Sequence, residues 1–100
     1  MLDDAAAPIL EALADPTRRQ VVWLLGKGPL RAGELAEATG TGAPAMSRHL
    51  KVLLNAQIIA DGRMSRDARA RLFSLQPGAL RVIQTWLDQV NARWEELDVG

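Results

Sequence analysis

Between Ala32 and Asn55 the chain carries two helical patterns with almost nothing between them. Leu35, Ala36 and Thr39 are spaced to turn inward from a short helix at about 32–39, and Gly40 offers it a left-handed C-terminal cap. Thr41-Gly42-Ala43-Pro44 then leaves room only for a tight turn. Gly42 or Thr41 caps the next helix, and Pro44 falls in its first turn, where a missing amide costs little. In that helix Met46, Leu50, Leu53 and Leu54 share one face, while Ser47, Arg48, Lys51 and Asn55 share the other. Two helices joined this tightly, the second polar on its outer face, predict a helix-turn-helix at about 32–55.

The flanks constrain the rest. Leu2, Ala6, Ile9, Leu10 and Leu13 recur at helical spacing and predict a first helix over about 2–14. Asp15 followed by Pro16 reads as the cap and first residue of a second helix, with Val21, Val22, Leu24 and Leu25 as its buried stripe. Gly26, Gly28 and Pro29 end it. Beyond Gln57 the period changes: Ile58-Ile59-Ala60 begins a strand, and Arg69, Arg71 and Phe73 alternate with Ala70, Leu72 and Ser74. The polar stretch Gly62 to Ala68 joins them, so 58–75 predicts a β-hairpin with an arginine-rich tip. Gln76-Pro77-Gly78 opens a last helix, about 77–97, with Leu80, Ile83, Leu87, Val90, Trp94 and Leu97 at heptad-like steps and Trp86 widening the stripe. The expected fold is mainly α, five helices and a two-stranded hairpin in the order α-α-α-α-β-β-α, as one domain over 1–100.

Composition narrows the function. The chain has 100 residues, 48% of them hydrophobic and 24% charged, which suits a folded globular domain. It has no cysteine, which removes disulfides and thiol chemistry. No apolar run approaches the roughly 20 residues of a membrane helix. Asp3 and Asp4 stand where a secretory signal would carry basic residues, so a cytoplasmic protein without membrane contact is expected. Net charge is zero, but its distribution is uneven. Residues 1–46 hold four basic and six acidic side chains, and residues 72–100 hold two and four. Residues 47–71 hold Arg48, Lys51, Arg63, Arg66, Arg69 and Arg71 against Asp61 and Asp67, net +4. A local field of one sign, rather than total charge, decides attraction to a polyanion.

Helix-turn-helix followed by wing resembles the ArsR/SmtB family of bacterial winged-helix repressors. The matching residues are Leu13-Ala14-Asp15-Pro16-Thr17-Arg18-Arg19, Gly33-Glu34-Leu35-Ala36, Pro44-Ala45-Met46-Ser47-Arg48-His49-Leu50-Lys51-Val52-Leu53 and Leu72-Phe73-Ser74-Leu75. The likeness covers nearly the whole chain. It implies a homodimer that binds operator DNA with the fourth helix as reader.

The residue chemistry is compatible with that role. Base edges in the major groove are met by residues near the N-terminal end of a reader helix, here Thr41, Ala43, Ala45, Ser47 and Arg48. Of these only Arg48 can make a bidentate contact with guanine, and Lys51, one turn on, is better placed for phosphate. Arg63, Arg66, Arg69 and Arg71 would follow the adjacent phosphates or enter the minor groove. His49, the one histidine, has two readings: half-buried packing or a hydrogen bond to a neighbouring helix, and a phosphate contact that the resemblance allows. No catalytic constellation accompanies it, so an enzyme is not expected and no cofactor is implied.

The resemblance also carries metal-sensing branches, and the chain departs from both. Where one branch places thiols on the third helix, this chain has Arg31, Gly33 and Ala36. Where the other places histidines on the last helix, it has Asp88, Glu95 and Glu96 without histidine. No metal site is expected, and the inducer is open. Arg31 also stands where a capping serine or threonine is usual, and Asp67-Ala68-Arg69 replaces the usual glycine of the wing tip. The apolar stripes of the two terminal helices, Leu2, Ile9 and Leu13 with Leu80, Ile83, Trp86, Leu87, Val90 and Trp94, exceed what so small a core can cover, which predicts pairing of two copies. The alternative is a winged-helix module that binds protein without specific DNA binding. That reading gains if the arginines are held in ion pairs by Asp61 and Asp67.

Overall fold

Asp15 shows how closely local chemistry sets the element boundaries. In the computed structural model, which describes residues 5–63 and 71–99, its carboxylate accepts from the amides of Thr17 at 2.8 Å and Arg18 at 3.1 Å, and Pro16 is the first helical residue. The elements are α1 (Ala6–Leu13), α2 (Pro16–Leu25), α3 (Ala32–Thr39), α4 (Ala43–Asn55), β1 (Ile59–Arg63), β2 (Arg71–Leu75) and α5 (Pro77–Val99). This is the order expected from the sequence. Leu2 of the expected first helix lies outside the described residues, as do Arg66 and Arg69 of the hairpin.

Two helices end in the same way with different residues. After α3, Gly40 is left-handed at φ 66° and the Thr41 amide reaches the Ala36 carbonyl at 2.9 Å. After α4, Gln57 takes φ 60°, its amide bonds Leu54 O at 3.0 Å, and the Ile58 amide bonds Leu53 O at 3.0 Å. Leu53 and Ile58, the apolar pair that this cap brings together, are both fully buried. That burial is what holds a glutamine in a conformation that favours glycine. At the start of α3, Glu34 reaches back to the Arg31 amide at 2.9 Å. Arginine has no acceptor with which to complete the reciprocal half of a capping box. The helix nevertheless starts at Ala32, as the sequence pattern placed it.

The hairpin is antiparallel, pairing Ile59 with Leu75, Asp61 with Phe73 and Arg63 with Arg71. β1 runs on to Arg63, so Gly62 and Arg63 belong to the strand rather than to the polar connection. The hairpin is tied to the helices by backbone bonds that the sequence pattern did not show. Leu30, between α2 and α3, exchanges two with Phe73, at 2.9 and 3.1 Å. The Gln76 amide bonds Ile58 O at 2.8 Å across the base. Val21, Leu35, Met46, Leu53, Ile58 and Ile59 form the centre of the core, where α2, α3, α4 and the hairpin meet.

α1 packs along α5, and this corrects one expectation. Ile9, expected at a subunit contact, is 4% exposed and lies in the protomer's own core. Leu13, Leu80 and Ile83 also pack against that core, half-buried, and Trp86 is half-buried. Further along α5 the same stripe is open: Leu87, Val90, Trp94 and Leu97 are all exposed. A 23-residue helix is about 34 Å long, and the whole molecule extends 59 × 25 × 24 Å. Among the described residues no helix is long and apolar enough to cross a membrane.

Candidate nucleic-acid interface

α4 presents its polar face outward because its apolar residues are committed to the core. Met46, Leu50 and Leu53 are buried, whereas Ala43, Ser47, Arg48 and Lys51 are exposed and Thr41 and Ala45 half-exposed. Gly42 caps the helix with an extended backbone, and its carbonyl takes the Met46 amide at 2.9 Å. The Thr39 hydroxyl donates to Leu35 O at 2.8 Å and lies 2.9 Å from the Thr41 hydroxyl, which steadies the turn ahead of α4. Among the described residues neither Arg48 nor Lys51 has an ion-pair partner.

His49 faces the corner between α1 and α2. Its Nδ1 lies 3.3 Å from Arg18 Nη1 and 4.0 Å from Asp15 Oδ1. A guanidinium can only donate, so in this contact Nδ1 is the accepting atom. The inter-helix hydrogen bond, one of the two readings of this residue, is therefore made. Arg18 continues past His49: its Nε donates to Ala12 O at 2.6 Å and its Nη2 to Glu11 O at 3.4 Å. Arg19 donates to Leu13 O and Ala14 O, each at 2.9 Å. Two adjacent arginines thus bond the last carbonyls of α1, with Glu11 O shared between Arg18 and the Ala14 amide. Asp15 is the anionic partner of this corner. The Arg18 amide, then the Thr17 amide and the charges of His49 and Arg18, hold its carboxyl below the usual aspartate value against an opposing effect of desolvation. Neither arginine was assigned a role from the sequence; the signal was their place directly after a helix-starting Asp-Pro pair.

The hairpin's basic residues are not all free. Arg71 is paired with Asp61, and its guanidinium carbon stands 5.4 Å from the centre of the Phe73 ring. The Asp61 bond raises the Arg71 pKa, opposed by some desolvation. Arg63 stands opposite Arg71 in the register. Between α3, α4 and the hairpin runs an open cleft of about 740 Å³ whose charged lining is Arg31, Glu34, Glu37, Lys51 and Arg71. Among the described residues no three acidic or histidine side chains gather where they could hold a metal ion.

Known proteins share this arrangement. Residues 13–61 match a family model described as a helix-turn-helix domain. The HTH-type transcriptional regulator Rv2034 of Mycobacterium tuberculosis is 44% identical over 80 residues, covering 79% of this chain and 71% of its own. The crystal structure of the ArsR family transcriptional regulator RHA00566 superposes with a TM-score of 0.83 at 27% identity over 95% of both chains. The solution structure of a homodimeric winged helix-turn-helix DNA-binding domain, Mb0332 of Mycobacterium bovis, superposes at 0.68 with 25% identity, over 90% of this chain and 80% of that one. With its helix-turn-helix, its hairpin wing and these relatives, the chain belongs to the ArsR/SmtB family of winged helix-turn-helix DNA-binding transcriptional regulators, not to a family of enzymes.

Proposed function

We propose that the chain is a cytoplasmic, homodimeric, metal-independent repressor that binds an inverted-repeat operator through residues 43–55 and the arginine-bearing wing. The observation that carries this reading is the outer face of α4, where Ser47, Arg48 and Lys51 are exposed and free of ion pairs among the described residues. Small residues at Ala43 and Ala45 let that face approach base edges closely, with Arg48 reading guanine and Lys51 holding phosphate. The open stripe of Leu87, Val90 and Trp94 supports pairing through α5, and the Mycobacterium bovis relative is a homodimer. A two-fold axis there would set two readers about 34–36 Å apart, one turn of DNA. Metal independence rests on the ligand chemistry: no cysteine, and a single histidine already bonded to Arg18.

The Asp61–Arg71 pair favours the second reading, a protein-binding module, because it occupies one of the wing cations. Capture of sheared genomic DNA by the purified protein, followed by sequencing, separates the two. Enrichment of an inverted repeat is expected. Recovery no better than for a non-specific polyanion binder would reject the repressor. The same operator, titrated with stoichiometric zinc, cadmium or arsenite, should bind with unchanged affinity; a metal-dependent loss would reject the metal-independent assignment.

A further inference from the structure

Trp23 lies 81% exposed on α2, and the groove it lines contains no residue of α4 or α5. It lines a groove of about 470 Å³ with Val22, Gly26 and Leu75, the last residue of β2. The other two lining residues are Arg19 and Lys27, and no carboxylate lines it. Lys27 has no ion-pair partner among the described residues. An apolar groove of this size with a few polar groups converging on it has the composition of a small-molecule site. Two cations and no anion fix the sign of the ligand. An aromatic or aliphatic body would lie on the Trp23 indole, and an acid group would sit between the Arg19 guanidinium and the Lys27 ammonium.

We propose that this groove is an effector site for a small amphipathic organic acid. The regulatory half of the proposal rests on the DNA-binding reading above. Arg19 gives the groove its reach, because the same guanidinium holds the Leu13 and Ala14 carbonyls at the end of α1. Its neighbour Arg18 holds His49 of the reader helix. Leu75 is followed by Gln76, whose amide closes the base of the wing on Ile58. An acid that recruits Arg19 therefore competes with the bonds that fix α1 against α2, and so lowers operator affinity.

The test uses the chain labelled with 5-fluorotryptophan, whose three indoles, Trp23, Trp86 and Trp94, are assigned by single Trp→Phe variants. Fluorine NMR follows titration with 1-naphthylacetate and with its neutral counterpart 2-(1-naphthyl)ethanol. A saturable shift at Trp23 is expected, with the acid bound about tenfold or more tighter than the alcohol, the size of a charge-assisted contact. Lys27→Gln should reduce that preference. Operator affinity, read by anisotropy, should fall about fivefold or more with saturating acid in the wild type and hold steady in Trp23→Ala. Equal response to acid and alcohol, or a Trp23 shift that follows protein concentration instead of ligand, would overturn the site. Saturation of Trp23 with unchanged operator affinity would overturn its effector role. A chain that bound the acid and no duplex would refute the DNA-binding reading and leave the ligand site standing.

Discussion

Asp61→Asn is the substitution in which the wing's geometry makes the most specific demand. Arg63 and Arg71 are register partners across the hairpin. Asp61, two residues before Arg63 on β1, holds Arg71. The pair is half open to solvent, with 45% of the Arg71 side chain and 27% of the Asp61 side chain exposed. Such a pair contributes about 0–1 kcal/mol to stability, so the variant should fold normally. Asparagine at 61 frees Arg71 for a phosphate. Each added phosphate contact steepens the fall of log affinity with log salt by about 0.9, or about 1.8 for two protomers. Between about 50 and about 200 mM salt that amounts to roughly a tenfold greater loss of affinity than in the wild type. Fluorescence anisotropy of a labelled operator duplex across that range measures it. The removed negative charge could also act simply through its field, and Arg71→Ala separates the two causes. In that background Asp61→Asn should leave the slope unchanged. A slope unaltered in the single variant, or steepened equally in both backgrounds, would refute the idea that Asp61 withholds Arg71 from DNA.

Arg48→Ala should cost about 1–3 kcal/mol of operator binding and relax the preference over random duplex, measured by competition. Val90→Glu places a charge in the open stripe of α5 and should yield monomers by light scattering at micromolar concentration, with operator binding lost. Asp15→Ala removes the cap of α2 and should lower the urea midpoint at pH 7. Because the folded carboxyl titrates below its unfolded value, its stabilisation is present above the unfolded pKa and is lost as pH falls through the folded one; the gap between wild type and variant should therefore close in acid. Gln57→Gly relieves a left-handed residue and should stabilise the chain by up to about 1 kcal/mol in the same assay.

What the sequence made legible was local. Asp15-Pro16 and Gly40 announce helix ends because cap chemistry is decided within a few residues. The face of α4 could be read from spacing alone, since its apolar residues had one place to go. Gln57 was not legible as a left-handed cap: what holds it there is the burial of Leu53 against Ile58, a tertiary fact. The bridge from Leu30 to Phe73 joins residues far apart in sequence and leaves no periodic trace. Ile9 was misassigned for a related reason. Periodicity says that a residue is covered, not by which neighbour, and Ile9 is covered within the core of its own protomer. The α5 stripe divides on the same ground. Its heptad-like spacing continues unbroken from Leu80 to Leu97, but only the first turns have the protomer's own core beneath them.

Residues 15–19 carry this lesson furthest. Read along the chain, Asp-Pro-Thr-Arg-Arg is a helix start followed by two arginines without an assigned role. In three dimensions the aspartate starts α2, and the two arginines turn back to close the end of α1. One of them also meets the histidine of α4. An exposed arginine is the ordinary expectation for surface residues, and nothing in the pattern distinguishes Arg18 from Arg48. What separates them is the direction of the helix each sits on. Arg48 is exposed on the outer face of α4, with no ion-pair partner among the described residues. Arg18 sits on the first turn of α2, beside the last carbonyls of α1, and those groups claim it. The positive charge that matters for DNA is thus smaller than the count of basic residues suggests. It resides where the backbone and the carboxylates have made no prior claim.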